Sequence, residues 1–388
     1  MRRQMTAAML ALTLLAACGQ SAAAPTPTPA PATTAPAPAA TEPAPAATEP
    51  TAAATAPAAE PSAPGQQLVV MSHDSFNVSA DVIKAFEQQN NVSVKILQSG
   101  DAGSALNQAI LNKNAPQADV FFGVDNTFLS RALDADIFAP YQSPALADVP
   151  AKFQLDPSYR LTPIDYGYIS LNYDKAYLAQ SNLAVPASLR DLTKPEWKGK
   201  LVVENPATSS PGLAFLLATV AEFGTSGDYT YLDFWKELRA NDVLVSDGWD
   251  EAYNTQFSGA SGKGPRPLVV SYTSSPPAEV IYSETPLTDA PTGVITAGSF
   301  LQVEFAGVLK GSKQPELAQK FIDFMLGAPF QQDMPLQMFV YPVLPSATLP
   351  EAFTKYSVLP ESTKDIAPAD ISAHRDEWID AWTQTVLR

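Results

Sequence analysis

Between Leu68 and Asn126 the chain switches repeatedly between two hydrophobic periods, and few architectures accept that pattern. Leu68-Val69-Val70-Met71 is an apolar run of strand type, closed by the turn Ser72-His73-Asp74-Ser75-Phe76. Residues 81–89 put Val82, Ile83 and Phe86 on one helical face, and residues 92–97 alternate as a second strand. Asp101 opens a helix through residue 112 with Ala105, Leu106, Ala109 and Ile110 apolar, and residues 119–123 form a third strand ending in Val124-Asp125-Asn126. Alternating strands and helices make a parallel sheet the economical solution, with its ligand edge at the carboxyl ends of the strands. His73, Asp74, Asp125 and Asn126 all fall at such ends.

The stretch LVVENPATSSPGLAFLLATV (201–220) repeats the theme as strand, polar turn and helix. A helix start leaves N–H groups without partners and carries the positive end of the macrodipole, so Thr208, Ser209, Ser210 and Gly212 are candidates to surround an anion. The plain alternative is a Ser/Thr cap with Pro211 in the first turn. Further along, residues 161–173 are rich in β-formers and suit a run between lobes, and residues 298–309 suit a return strand. Residues 231–240 and 315–326 read as helices, and residues 350–388 are expected to be helical, with Trp378 and Trp382 packed on one face.

The N-terminal segment has Arg2 and Arg3, an apolar run from Ala7 to Leu15, and then Leu15-Ala16-Ala17-Cys18. That is an export signal over residues 1–17, too short in its apolar core to span a bilayer. A Cys after Leu-Ala-Ala resembles the lipobox of bacterial lipoproteins, so Cys18 is the expected site of lipid attachment. It is also the only cysteine, which leaves the exported part without disulfides and without Cys-based zinc or nucleophile chemistry. Residues 18–67 are Ala, Pro and Thr with scattered Glu, and such a segment buries no core; it is expected to be an extended stalk. The formal charge of −16 argues against nucleic acid and against adhesion to an anionic membrane beyond the lipid anchor.

After the stalk, nine segments occur in the order found in the periplasmic thiamine-binding proteins of thiamine ABC importers. They are DSF (74–76), VDN (124–126), DYGY (165–168), NPATSSPGL (205–213), GWDEAY (248–253), SYTSSP (271–276), LQVE (301–304), KQPELAQKFIDFM (313–325) and YPVLPSATLP (341–350). The chain thus resembles that branch of the type II extracellular solute-binding proteins over nearly its whole length beyond the stalk. The resemblance implies a two-lobe periplasmic-binding-protein type II fold, with two α/β lobes joined by crossover strands and the ligand cleft between them. The expected boundaries are 68–164 for the first part of lobe 1, 165–297 for lobe 2, and 298–388 for the return to lobe 1 and the C-terminal helices. The implied ligand is thiamine or its mono- or diphosphate, handed to ABC permease subunits by a lipid-anchored monomer, with no cofactor and no metal.

Residue by residue, the resemblance assigns Trp249 and Tyr272 to the aromatic walls and Asp125 to the first-lobe acid. Ser209, with Thr208, Ser210 and Gly212, is assigned to the phosphate loop, and Asp74, Asn126 and Ser275 fall within the matching segments. The same residues have plainer readings: Asp74 and Asp125 as helix caps, Trp249 as a buried anchor, and His73 as a structural histidine. Three positions depart from the family. His73 stands for a Tyr, Ala80 for a Trp and Ala278 for a Tyr, leaving Tyr282, Tyr166, Tyr168 and Phe76 as the neighbours able to fill the enclosure. A receptor of the same fold for another organic cation such as a polyamine would use Asp74, Asp125, Asp165 or Glu304 with Trp249. An exported hydrolase is disfavoured, since no G-x-S-x-G, S-x-x-K or H-E-x-x-H motif occurs and the chain has two histidines, His73 and His374.

Overall fold

The computed structural model describes residues 65–259 and 263–388; the export signal, Cys18 and nearly all of the stalk lie outside the described residues. In chain order the first elements are β1 (Gln66–Ser72), α1 (Ala80–Asn90), β2 (Val92–Gln98), α2 (Ala102–Leu111), β3 (Val120–Asp125), α3 (Leu129–Asp134), β4 (Phe138–Ala139), β5 (Thr162–Asp174) and α4 (Lys175–Gln180). The middle of the chain supplies β6 (Leu201–Glu204), α5 (Ser210–Phe223), α6 (Tyr231–Ala240), β7 (Leu244–Ser246), β8 (Leu268–Tyr272) and α7 (Ser275–Ile281). The remainder forms β9 (Thr292–Leu309), α8 (Pro315–Met325), α9 (Ala328–Gln337), β10 (Tyr341–Pro342), α10 (Glu351–Tyr356) and α11 (Pro368–Val386).

The strands join in the order β2-β1-β3-β9-β5-β8-β6-β7, with β10 on β5 and β4 on β9. At one flank β1 pairs in parallel with β2 and β3, and at the other β6 pairs in parallel with β7 and β8. Between them run the antiparallel β5 and β9, in register from Asp174↔Thr292 to Thr162↔Ala306. These two strands are long enough to belong to both lobes, as expected for residues 161–173 and 298–309. The fold is therefore two α/β lobes built on paired crossover strands. The register breaks between Ile169 and Leu171, opposite a detour of β9 at Gly298, whose φ of +80° suits glycine.

Helix formation follows the sequence closely where the pattern is amphipathic. α6 covers residues 231–240 as read, with Tyr231, Phe234, Trp235 and Leu238 buried and Thr230 with Asp233 closing a capping box. α5 is different: Ser210 through Val220 are all buried, so it has no solvent stripe and was legible only from Pro211-Gly212 at its start. Gly212 is required by packing, because a Cβ there would lie 2.6 Å from the Glu204 carbonyl oxygen. α11 packs on α6 and on α3, so it spans the backs of both lobes. Its Trp382 is fully buried, edge-on to Trp235 at 5.5 Å, which makes the tryptophan pair packing residues.

Asp125 ends β3 and is fully buried. Its Oδ1 accepts hydrogen bonds from Thr127 N at 3.1 Å, Thr127 Oγ1 at 2.7 Å and Phe128 N at 3.1 Å, tying β3 to the start of α3. Asp125 thus closes a local turn just ahead of α3, whose own N-cap position is Phe128 and has no side-chain cap bond. Asn126 is equally committed to the fold: it donates Nδ2 to Leu301 O at 3.0 Å and accepts from Val303 N at 2.8 Å, fastening β3 to β9. Burial, and after it the charge of Glu304, push the Asp125 carboxyl up to about 7 against the hydrogen bonds that favour its ionised form.

Two outcomes follow. Trp382→Ala should lower the unfolding free energy by about 3–5 kcal/mol, the usual cost of a buried indole, in denaturant titration. Asp125 binds its proton more tightly in the folded state, so its contribution to stability is lost as pH rises from about 4 to about 7. Asp125→Asn keeps the Oδ1 acceptor and should lose less stability between pH 5 and pH 8 than the parent, by up to about 2.5 kcal/mol. Equal losses in the two proteins would show that Asp125 does not titrate in this range.

Candidate functional site

The carboxyl ends of β1 and β2 face the start of α5 and the end of β8 across a cleft of about 1190 Å³. Its lobe 1 wall carries His73, Asp74, Phe76 and Asp101, and its floor on β9 carries Gln302 and Glu304. Its lobe 2 wall carries Ser210, Trp249, Tyr253, Tyr272, Ser275 and Glu279. Among the described lining residues the acids are Asp74, Asp101, Asp250, Glu279, Glu284 and Glu304, against only His73 and Lys263 as basic side chains. Low-dielectric walls with one sign of charge attract the opposite charge, so the cleft is suited to a cation.

Trp249 begins a turn that continues as the π-helix Glu251–Gln256, a wide winding that recurs at functional sites. The indole is stacked on Tyr253 at 5.0 Å with 14° between planes, and it meets Tyr272 edge-on at 6.3 Å. Its Nε1 donates to Ser271 Oγ at 2.8 Å, and Ser271 Oγ lies 2.9 Å from Ser275 Oγ. Tyr253 donates to Glu279 Oε1 at 2.9 Å. These contacts fix the indole plane before any ligand arrives, and a held aromatic face is what stacking or cation–π binding needs. Tyr272 lies over Gly167, where a Cβ would come within 2.8 Å of its ring.

Asp101 caps α2 by accepting from Ala102 N at 2.6 Å, and its other oxygen accepts from Trp249 N at 2.9 Å across the cleft. Beside it, Gly103 N and Ser104 N of α2 donate to Thr208 O at 2.9 and 3.2 Å. Lobe 1 and lobe 2 therefore touch along a seam made largely of backbone groups. Toward the mouth, Tyr282 of lobe 2 donates to Leu336 O at the end of α9 and meets Phe339 edge-on at 5.2 Å. Burial pushes the Asp101 carboxyl up, against the nearby Ser209 hydroxyl and the bonds from Trp249 N and Ala102 N.

Of the residues assigned from sequence, His73, Asp74, Ser210, Trp249, Tyr272 and Ser275 line the cleft. Asp125 and Asn126 do not; their polar atoms serve α3 and β9, and Asp101 and Glu304 supply the carboxylates that face the cavity instead. The serine loop is also placed differently from the phosphate cradle expected of it. Thr208 Oγ1 donates to Asp247 O at 2.6 Å, Ser209 is fully buried, and Gly212 packs on the Glu204 carbonyl. The hydroxyls of Ser209 and Ser210 sit beside the Asp101 and Asp125 carboxyls without closing hydrogen bonds of ordinary geometry. Glu204 lies just behind, both oxygens unpartnered, its carboxyl pushed well up by burial and by Asp101.

Where the family aromatics are replaced, His73 and Ala278 line the cleft, while Ala80 is exposed at the start of α1. Tyr282 and Phe76 border the space that is left. Tyr166 stacks on Phe153 and Tyr341, and Tyr168 meets Tyr166 and Tyr341 edge-on, away from the lining. Asp101 was legible as a helix cap, but its place on the cleft depends on Trp249, distant in sequence. Among the described residues there is no cluster of His, Cys, Asp and Glu suited to a metal ion and no helix long and apolar enough to cross a membrane.

Comparison with known proteins agrees with this architecture. Residues 115–359 match the family described as bacterial extracellular solute-binding protein. The chain is 35% identical over 330 residues to the thiamine-binding periplasmic protein of Escherichia coli K12, an alignment covering 83% of this chain and 94% of that protein. It is 34% identical to the Salmonella typhimurium protein of the same name, with the same coverage. The solved structure of a periplasmic thiamin binding protein superposes with a TM-score of 0.73 at 32% identity, over 84% of this chain and 97% of that one. A cleft between two lobes on crossover strands, reached from the residues alone, and these matches lead to one assignment: the chain belongs to the bacterial extracellular solute-binding protein family.

Proposed function

We propose that the protein is the extracytoplasmic receptor of an ABC importer, that it closes around thiamine, and that it delivers the vitamin unchanged to its permease. The observation that carries this reading is the meeting of the held Trp249 indole with the Asp101 and Glu304 carboxylates in one cleft. Thiamine asks for both: an aminopyrimidine that stacks and hydrogen-bonds, and a permanently cationic thiazolium. The names of the relatives point to the same ligand. Trp249 and Tyr272 provide the aromatic faces, Asp101 and Glu304 the counter-charge, and Ser210 and Ser275 hydroxyls at the lobe 2 wall. Both lobes touch the ligand, so it favours the closed arrangement by its greater affinity for it. The excess of acids over basic side chains in the lining favours thiamine over its diphosphate.

Attachment to the membrane through a lipid on Cys18, with residues 18–67 as stalk and the binding unit as a monomer, completes the proposal. It rests on Leu15-Ala16-Ala17-Cys18 and on the Ala/Pro/Thr composition that follows. A linear polyamine is the second reading, favoured by the series of carboxylates from Glu304 to Glu279 and Glu284 along the lining.

Calorimetry with thiamine, its mono- and diphosphate, spermidine and ferric ion separates these readings. Thiamine should bind most tightly, and the diphosphate more weakly. Trp249→Ala should weaken thiamine by at least about tenfold, on the scale of one or two cation–aromatic contacts, while Trp249→Phe should retain part of the affinity. Spermidine binding more tightly than thiamine, or unchanged affinity in Trp249→Ala, would remove the assignment.

A further inference from the structure

His73 stands at the carboxyl end of β1, tilted against Phe122 at 5.5 Å, with its Nε2 facing Glu304 Oε1 at 3.4 Å. Both side chains are buried to more than nine-tenths and both line the cleft. Room for the ring is made by Gly123, which holds a φ of +104° and where a Cβ would lie 2.4 Å from His73 Cδ2. At 3.4 Å, with Nε2 otherwise without a partner, the contact is an attraction between charges more than a firm hydrogen bond. The pair is open on one side to the cavity.

The surroundings of this pair come from six elements. Asp74 lies in the turn after β1, Asp101 caps α2, and Asp125 ends β3. Glu304 belongs to β9, Asp165 is its cross-strand partner on β5, and the Tyr272 phenol approaches from β8. Burial, then the Glu304 charge, hold Asp165 well above the usual carboxylate range. Tyr272 is pushed up as well and stays neutral. Burial alone would push the His73 imidazole down, but Glu304, followed by Asp101 and Asp74, outweighs it and the net direction is up. No arginine or lysine other than Lys263, which is exposed, is present among the described lining residues.

We propose that the His73 imidazolium is a placeholder for the ligand's positive charge, neutralising Glu304 in the empty cleft and surrendering its proton to solvent when an organic cation takes its place. A cation brought beside Glu304 both repels the imidazolium and claims its counter-ion, and in a buried site two cations on one carboxylate are unfavourable. The proton leaves from a His73 nitrogen to water or buffer and no covalent bond to the ligand forms or breaks. Binding is thereby proton-linked. At pH values where empty-state His73 is charged, affinity falls as pH drops, approaching tenfold per pH unit. Above that range this source of pH dependence disappears.

The proposal rests on the reading that the ligand is an organic cation, and the experiment keeps the two apart. Calorimetry of thiamine at pH about 7 in phosphate and in Tris, whose ionisation enthalpies differ widely, counts protons released. The full chain should release a measurable fraction of a proton per thiamine, and that fraction should grow as the pH is lowered toward about 6. His73 and His374 are the only histidines. Labelled-histidine NMR should therefore show one ring passing from imidazolium to neutral imidazole on saturation with thiamine, while that of His374, on α11, does not move. His73→Gln and His73→Tyr should bind thiamine without the released proton and without the loss of affinity on acidification; this comparison also cancels any titration of the aminopyrimidine itself. Thiamine bound by the parent with equal heats in both buffers and an unmoved His73 signal overturns the placeholder role, and needs no variant to fold. Failure of the parent to bind any cation overturns the proposed function, and this inference with it.

Discussion

The pairing of β5 with β9 is the constraint from which the rest of the molecule follows. Each strand is too long for one lobe, so each must leave the first and enter the second, and their shared register decides how the two halves face one another. It also sets Asp165 opposite Glu304 at the middle of the molecule, where two carboxyl groups cannot both be ionised at low cost. One stays neutral and the other needs a counter-charge. That need is met from outside the sheet pair, by His73 just beyond the end of β1.

A chain that buries this many acids beside one cavity accepts a stability cost. Asp101, Asp125, Asp165 and Glu204 all have their carboxyls pushed upward by burial as the leading cause, and the oxygens of Asp165 and Glu204 have no partner. Buried polar atoms without partners are uncommon in folded proteins and concentrate where a ligand or a mechanism compensates them. The packing elsewhere is what tolerates the cost: α5 is buried nearly throughout, and α11 fixes the rear of both lobes through Trp382 and its neighbours.

Much of this was legible in the sequence because it obeys local rules. The amphipathic α6 and α8, the strand runs of β1 and β3, and the punctuation before α5 were all readable from spacing and from Gly and Pro. The crossover strands were legible as long β-type segments. Less accessible were features created by distant approach. Asp101 carries an ordinary cap signal, and nothing near it announces that its second oxygen receives Trp249 N. Asp125 and Asn126 fall at a strand end where ligand residues are common, yet local bonds from Thr127 and Phe128 claim Asp125 Oδ1, and Leu301 and Val303, distant in sequence, claim the Asn126 amide. The π-helical winding after Trp249 has no sequence signal of its own. The serines at 209 and 210 were readable as hydroxyls at a helix start, but the acids behind them come from other elements.

The seam between the lobes has a bearing on how such a receptor changes over generations. Beside the Asp101 carboxylate that accepts from Trp249 N, the Thr208 carbonyl accepts from the amides of Gly103 and Ser104, groups that every non-proline residue possesses. Side chains lining the cavity other than Asp101 can therefore be exchanged one at a time while the jaws retain the same catch. Divergence in what is captured is decoupled from the motion of capture, and a permease that senses the shut form would tolerate new cargo without altering its own surface.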